Sequence, residues 1–219
     1  MDLPTIPYEF DNEMIAQTRG DNTPRVRVYA FDHVAVVIGR GGHQNLELLN
    51  ENIAADGIPL YKRAGGGCSV VLDPGNVIIS LALPLAGISG ITGAFKHISN
   101  WLISSLAECG IKGVVQNGVS DLVLSEKKIG GSCVHRTRGY LYYSTTLLVE
   151  QNMPLVKRYL QHPPREPEYR QGRPHSEFMG TLKAICGISL TDDFLRGIKE
   201  QLNNNLQVLS HDVDNLDQQ

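Results

Sequence analysis

The sequence has no surplus of positive charge and no long apolar segment. Its 219 residues include 20 Lys and Arg against 23 Asp and Glu, which gives a formal net charge of −3. A protein that binds nucleic acid without sequence preference needs a basic surplus to displace counterions, so this class is excluded. No apolar run reaches the length of about 18 residues that a membrane span requires. We therefore expect neither nucleic acid nor a membrane as a partner.

Cysteine is also scarce, and its spacing fits neither a metal site nor a disulfide framework. No Cys-x-x-Cys pair occurs among the four cysteines, which are Cys68, Cys109, Cys133 and Cys186. The seven histidines likewise form no His-x-x-x-His pair. A structural zinc site is therefore not predicted, and each cysteine is expected to be a small buried hydrophobe. The acidic N-terminus does not fit a secretory signal peptide, which favours a cytoplasmic protein.

The hydrophobic pattern predicts one α+β domain over residues 1–210, followed by a disordered tail at 211–219. Alternating or continuous apolar runs predict strands at 25–30, 34–38, 59–62, 69–72, 77–83, 119–124, 128–129 and 139–150. Apolar residues at helical spacing predict helices at 45–55, 91–109, 153–160 and 192–206. The Asp-Pro-Gly-Asn segment at 73–76 has good turn chemistry and predicts a hairpin between its two neighbouring strands. The Pro- and Arg-rich stretch 162–175 is interpreted as an exposed loop.

Glycine is abundant instead, with 22 residues in the chain. Gly65, Gly66 and Gly67 stand together between two predicted strands, shortly after Arg63. Consecutive glycines let a ligand approach the main chain and offer successive N–H groups to an anion, while Arg63 adds a guanidinium suited to phosphate. A flexible hairpin loop is the alternative interpretation. The segment has neither the Gly-Lys-Ser/Thr ending of a P-loop nor the following helix of a dinucleotide fingerprint.

A second glycine-rich turn follows a lysine, in the sequence Lys128, Ile129, Gly130, Gly131, Ser132. A lysine beside exposed backbone amides can neutralise charge on both a leaving phosphate and a carboxylate. Asp121 precedes it on the same β segment and is a candidate either to hold a magnesium ion or to orient the lysine. The alternative is a β-turn flanked by solvated lysines.

Together these motifs resemble the superfamily of lipoate–protein ligases, octanoyltransferases and biotin–protein ligases. The family pattern is an Arg-rich Gly-Gly-Gly loop, an Asp-x-Gly-Asn turn, an Asn-Asp-Leu segment and a Lys-x-x-Gly-Ser-Ala segment. The chain has similar segments in the same order, at 63–68, 73–76, 120–122 and 128–133. The resemblance implies a mostly antiparallel or mixed sheet flanked by helices, related to class II aminoacyl-tRNA synthetase catalytic domains and biotin ligases.

The resemblance also implies a reaction. Lipoate or octanoate would be activated by ATP as an acyl-adenylate, and the acyl group would pass to a lysine of a lipoyl-carrier protein. Lys128 would be the catalytic cation on the acyl carbonyl and α-phosphate, and Asp121 would support Mg²⁺. The expected substrate- and nucleotide-binding residues are Arg63, Gly65, Gly66, Gly67, Cys68, Ser69, Val70, Val71, Leu72, Asn76, Gly130, Gly131 and Ser132.

Two alternatives within the resemblance stay open. An octanoyltransferase would need a cysteine nucleophile, and the positions where such enzymes carry it correspond to Gly113 and to the region of His162 here. This absence favours the ATP-dependent ligase, with Cys68 or Cys133 as an unorthodox nucleophile in the alternative. The second alternative is a non-catalytic domain that binds lipoate or a carrier.

The position of the C-terminus and the basic loop suggest protein partners. The chain ends soon after the expected catalytic domain, so a separate accessory-domain protein is a possible partner beside the carrier. The Arg-rich stretch 162–175 is our candidate for docking an acidic carrier domain, with a solvated loop as the alternative.

Overall fold

Strands form the framework of the protein. In the computed structural model, the described residues are 2–85, 91–137 and 139–214. The strands are β1 (Ile6–Pro7), β2 (Arg25–Ala30), β3 (Ala35–Ile38), β4 (Leu60–Lys62), β5 (Val70–Leu72), β6 (Asn76–Leu85), β7 (Val115–Asn117), β8 (Asp121–Leu124), β9 (Lys127–Thr137) and β10 (Gly139–Leu148). Within the described residues they form a large sheet of order β2-β6-β10-β9-β8-β7 and a small sheet of order β1-β4-β3-β5.

Helices of very different length surround the two sheets. They are α1 (Asn12–Asp21), α2 (Gln44–Glu47), α3 (Asn50–Ala55), α4 (Ile91–Glu108), α5 (Met153–Tyr159), α6 (His175–Phe178), α7 (Leu182–Cys186), α8 (Asp192–Asn204) and α9 (Leu206–Asp214), with a 3₁₀ turn at Glu168–Arg170. In the ranges that the structure describes, no helix combines the length and the apolar character that crossing a membrane requires.

The predicted fold class is confirmed by the pairing of the strands. The large sheet is antiparallel throughout. The small sheet is mixed, because β4 runs parallel to both β1 and β3 whereas β5 is antiparallel to β3. The result is an α+β protein with a mostly antiparallel framework.

The predicted hairpin across residues 73–76 is wrong. The turn itself forms, with the N–H of Asn76 donating to the carbonyl of Asp73 at 2.9 Å. However, β5 pairs with β3 in the small sheet, and β6 lies between β2 and β10 in the large sheet. Turn chemistry predicts a change of direction but not the partner of each strand. The turn therefore connects the two sheets instead of closing a hairpin.

Two predicted helices are interrupted, and several elements were not predicted. The helix predicted at 45–55 is divided into α2 and α3 because Leu48 forms a bridge with Leu160. The helix predicted at 192–206 ends at Asn204, and α9 continues to Asp214, into the segment predicted to be a tail. Residues 215–219 lie outside the described part of the chain. Sequence analysis did not predict β1, α1 or β7.

Strand β10 divides its side chains between two environments. Leu141 and Leu147 are fully buried in the main core, which the large sheet forms with α4, α8 and α9. Tyr140 and Tyr142 point to the opposite face and pack with Met14 of α1. This alternation follows from the period of two in a strand. The face of the sheet that carries Tyr140 and Tyr142 is therefore not filled by the main core.

We expect Gly75→Ala to destabilise the protein by about 3 kcal/mol, as overpacking of a tight backbone contact does. The Gly75 carbonyl accepts the N–H groups of Val149 and Glu150 at 3.2 and 2.8 Å, and an added Cβ would overlap the Glu150 backbone. Urea unfolding measures the change. Gly41→Ala is the control, because a Cβ there meets nothing within 4 Å. Equal stability of the two variants would contradict the prediction.

Candidate active site

A cavity of about 540 Å³ opens between the two sheets. This volume lies in the range of small-molecule sites, roughly 300 to 1,000 Å³. Its lining combines the Gly-rich loop, β5, the start of β9, the even-numbered residues of β10 and the segment 163–179. All of the predicted site residues except Gly66 and Asn76 line this cavity. The two sequence motifs therefore meet in space, in the lining of one cavity.

Gly66 and Asn76 do not line the cavity. Gly66 is at the exposed tip of the loop, and a Cβ there would meet nothing within 4 Å. Asn76 is fully buried, and its Oδ1 accepts the N–H of Asp73 at 2.8 Å. The asparagine of the Asp-Pro-Gly-Asn motif therefore stabilises the turn between the sheets.

Lys128 and Asp121 form an ion pair at the cavity wall. The Lys128 Nζ lies 2.7 Å from Oδ1 of Asp121, and the side chains are 27% and 10% exposed. The Tyr169 hydroxyl donates to Oδ2 of Asp121 at 2.8 Å. Of the two roles considered for Asp121, these contacts favour orientation of the lysine.

A β-bulge aims Lys128 toward Asp121. The register pairs Asp121 with Gly131 and Leu122 with Gly130, but Val123 with Lys128, so β9 contains one additional residue at Ile129. Without the bulge, alternation would place Lys128 on the face opposite Gly131. A Cβ at Gly131 would lie 3.1 Å from the Lys128 Nζ. The glycine thus leaves the space that the lysine side chain occupies.

Arg63 uses its guanidinium to shape the glycine loop. Nη2 donates to the carbonyls of Gly66 and Cys68 at 2.9 and 2.8 Å, and Nη1 donates to the carbonyl of Val37 at 3.2 Å. These bonds connect the loop to β3 of the small sheet. Direct binding of phosphate by Arg63 stays a prediction.

Glu47 is a site-supporting residue that sequence analysis missed. Its carboxylate is buried and accepts both the N–H and the hydroxyl of Ser69, at 2.6 and 2.8 Å. The Ser69 amide, predicted to bind substrate, is therefore engaged within the protein. Glu47 lies inside a segment predicted to be a helix, and no local pattern distinguished it.

A second missed group is the buried carboxylate of Asp11, which also lines the cavity. The hydroxyls of Ser80 and Tyr142 each donate to Oδ2 at 2.7 Å, and Arg27 lies 3.2 Å from Oδ1. The charge is thus compensated by an arginine and by hydroxyl groups. Sequence analysis used Asp11 only as part of an acidic N-terminus, since its partners lie far away in the chain.

The segment 162–175 was predicted to be an exposed loop, which is wrong at Arg170. This residue is only 4% exposed and lines the cavity. Its guanidinium lies over the Phe178 ring, with Cζ 4.7 Å from the ring centroid. An arginine in a Pro-rich stretch is typical of a solvated loop, and only the tertiary contact with α6 buries it.

The cysteines differ from the expectation that all are buried. Cys186 is exposed, and Cys68, Cys109 and Cys133 are intermediate. Cys68 and Cys133 line the cavity, and burial raises the pKa of both thiols above the usual value. Because the thiolate is the nucleophilic form, the cavity disfavours thioester chemistry at either residue.

The family of the chain follows from a direct match. Residues 4–203 match the family model of the lipoyl protein ligase A/B catalytic domain. The chain belongs to this family. The resemblance found in the sequence motifs is therefore confirmed over nearly the whole of the chain.

Curated members of the lipoyl protein ligase family are longer than the part that matches. A lipoate–protein ligase of Streptococcus pyogenes serotype M5 is 29% identical over 126 residues, which cover 58% of this chain and 36% of that protein. The matches to the curated relatives span from 36% to 43% of the length of those proteins.

Solved structures of lipoate ligases share the fold of this lipoyl protein ligase catalytic domain. A bipartite lipoate protein ligase of Thermoplasma acidophilum, studied with its E2 lipoyl domain, gives a TM-score of 0.73 at 20% identity and covers 94% of this chain and 82% of that chain. A lipoate–protein ligase A bound with ATP gives a TM-score of 0.73 at 20% identity, and the match covers 95% of this chain and 84% of that chain. The agreement confirms the predicted fold.

Proposed function

We propose that this lipoyl protein ligase catalytic domain activates lipoate or octanoate with ATP and transfers the acyl group to a lysine of a lipoyl-carrier protein. The observation that carries the proposal is the Lys128–Asp121 pair, held beside Gly130 and Gly131 in the wall of the cavity. Family membership and the ATP-bound relative of the same fold support it. The E2 lipoyl domain of the bipartite ligase supports a carrier of that class.

Lys128 would act on the charge that develops in the first step. A carboxylate oxygen of the fatty acid forms a bond to the α-phosphorus, and the bond from that phosphorus to the bridging oxygen breaks, which releases pyrophosphate. The ammonium would stabilise negative charge on the α-phosphate and the acyl oxygen. Asp121 and Tyr169 hold the ammonium at that position.

In the second step, the amine of the carrier lysine attacks the acyl carbonyl and AMP leaves. Lys128 again faces the oxygen that gains charge. No residue of the chain has to form a covalent intermediate.

Magnesium at Asp121 is part of the proposal. No cluster of three His, Cys, Asp or Glu side chains occurs in the part of the chain that the structure describes. Mg²⁺ commonly uses one or two carboxylates together with substrate phosphates, so Asp121 would hold it only with nucleotide oxygens completing the coordination.

The proposal is tested by offering the protein an unmodified lipoyl domain. With lipoate and Mg-ATP we expect mass spectrometry to show one lipoyl amide on the carrier, together with stoichiometric pyrophosphate. Octanoyl-acyl carrier protein without ATP should give no product. Mass gain from that donor alone would instead establish the transferase.

The variant Cys68→Ser/Cys133→Ser separates the two routes within the same assay. Since neither thiol takes part in the ATP route, the double variant should retain activity within about threefold of the wild type, whereas thioester chemistry requires a thiolate. Complete loss of transfer in a folded double variant would contradict the ligase proposal.

A further inference from the structure

Arg170 is a buried cation that the steps described above do not use. It ends the 3₁₀ turn Glu168–Arg170 and lines the cavity that also contains Lys128. Nε donates to the carbonyl of Arg173 at 2.9 Å and lies 3.4 Å from the Glu166 carboxylate. These contacts anchor one edge of the guanidinium.

The other edge of the guanidinium has an unsatisfied donor. Nη2 is buried and has no hydrogen-bond partner among the residues that the structure describes. Buried polar groups in proteins nearly always have a partner, because an unmade hydrogen bond is costly. Arg170 lines the cavity, so a molecule bound there can supply the missing acceptor.

The charges around Arg170 favour an anion as that molecule. Glu166 is shared, since it also accepts from the N–H of Gly172 and lies 2.9 Å from the His162 ring. Lys128, on the same cavity, is paired with Asp121. Burial, followed by the nearby guanidinium of Arg170, lowers the pKa of His175 to about 4. Arg170 and Lys128 thus bring two cationic groups to the lining of one cavity.

We propose that Arg170 binds the β- and γ-phosphates of ATP and then the leaving pyrophosphate. This inference rests on the proposed function. When the carboxylate oxygen bonds to the α-phosphorus, the electron pair of the broken P–O bond stays on pyrophosphate, whose charge increases. The planar guanidinium fork fits phosphate oxygens, and its N–H groups stabilise that charge. Lys128, whose charge Asp121 partly balances, then contacts the α-phosphate.

The test compares Arg170→Gln with the matched control Arg173→Gln. Arg173 belongs to the same segment and lies over the same Phe178 ring, at 5.4 Å, but it does not line the cavity. Three quantities are measured on the full chain: the Kd for inorganic pyrophosphate, the rate of acyl-adenylate formation, and the rate of transfer from synthetic lipoyl-adenylate to an unmodified lipoyl domain.

For Arg170→Gln we expect pyrophosphate binding and adenylate formation to weaken about tenfold to a hundredfold, as loss of a charge-assisted contact does. Transfer from the preformed adenylate involves no pyrophosphate and should stay within about threefold of the wild type. Arg173→Gln removes bonds to the carbonyls of Tyr169 and Arg170 but no charge from the cavity lining, so its pyrophosphate affinity should stay within about threefold of the wild type. Arg170→Lys keeps the charge without the fork and should give intermediate pyrophosphate affinity.

Equal pyrophosphate affinity of Arg170→Gln and Arg173→Gln would overturn the inference, and so would equal loss in both half-reactions, which indicates a structural role. If Arg170→Gln does not fold, Arg170→Lys is compared with the wild type instead. Equal pyrophosphate affinity of those two proteins would then overturn the inference. Failure of the proposed function is distinct, because the wild-type chain would then form no adenylate from lipoate and ATP at all.

Discussion

Replacing Lys128 by alanine should lower the rate of acyl-adenylate formation by about 100- to 1,000-fold, the usual effect of removing one preorganised donor to a developing oxyanion. The ammonium is held by Asp121 at 2.7 Å, so it needs little reorganisation when charge develops on the substrate. Pyrophosphate release with lipoate and Mg-ATP under single-turnover conditions measures the step directly.

Lys157→Ala is the matched control for this experiment. Lys157 is an exposed residue of α5 and does not line the cavity. Thermal unfolding of both variants separates a loss of catalysis from a loss of structure. A folded Lys128→Ala variant that forms adenylate within a few-fold of the control would show that Lys128 does not stabilise the transition state.

Gly131→Ala should have the second largest effect, a loss of about 100-fold in adenylate formation with little change in stability. An added Cβ would lie 3.1 Å from both Cε and Nζ of Lys128 and 3.7 Å from Oδ1 of Asp121. The obstructing atoms are the mobile end of a side chain, so the lysine moves and the strand does not. A misplacement of about 1 Å can reduce the rate by this factor.

Gly41→Ala again serves as the control, since it adds the same methyl group where nothing lies within 4 Å. The two variants are compared in adenylate formation and in the midpoint of urea unfolding. If Gly131→Ala were as active as Gly41→Ala, the position of the ammonium could not be critical. If it were inactive and unfolded, the strand rather than the lysine would be the sensitive element.

Local patterns in the sequence predicted the central strands, because these features depend on residues close together in the chain. The turn predicted at 130–132 is wrong, since these residues lie inside β9. The β-bulge at Ile129 could not be predicted in this way, since it depends on how β9 is paired with β8. The separation of β5 and β6 into different sheets has the same origin. Alternation predicts which residues share a face, but not which strand lies beside it.

The supporting residues of the site are distant in sequence from the motifs that they support. Tyr169 reaches Asp121 across 48 positions, and Glu47 reaches Ser69 across 22. Arg170 lies in a segment whose composition is typical of a solvated loop. Such contacts are created by packing of the whole chain, and a single sequence does not contain a local signal for them.

The alternation along β10 separates two kinds of substitution. Tyr140, Tyr142, Ser144, Thr146 and Leu148 line the cavity, whereas Leu141 and Leu147 belong to the main core. Substitutions at the even positions therefore change the lining of the cavity, whereas substitutions at the odd positions change the packing of the main core. A library restricted to Ser144 and Thr146, which are partly exposed, would alter the lining at less risk to the scaffold than one that includes Tyr142, whose hydroxyl supports the buried Asp11.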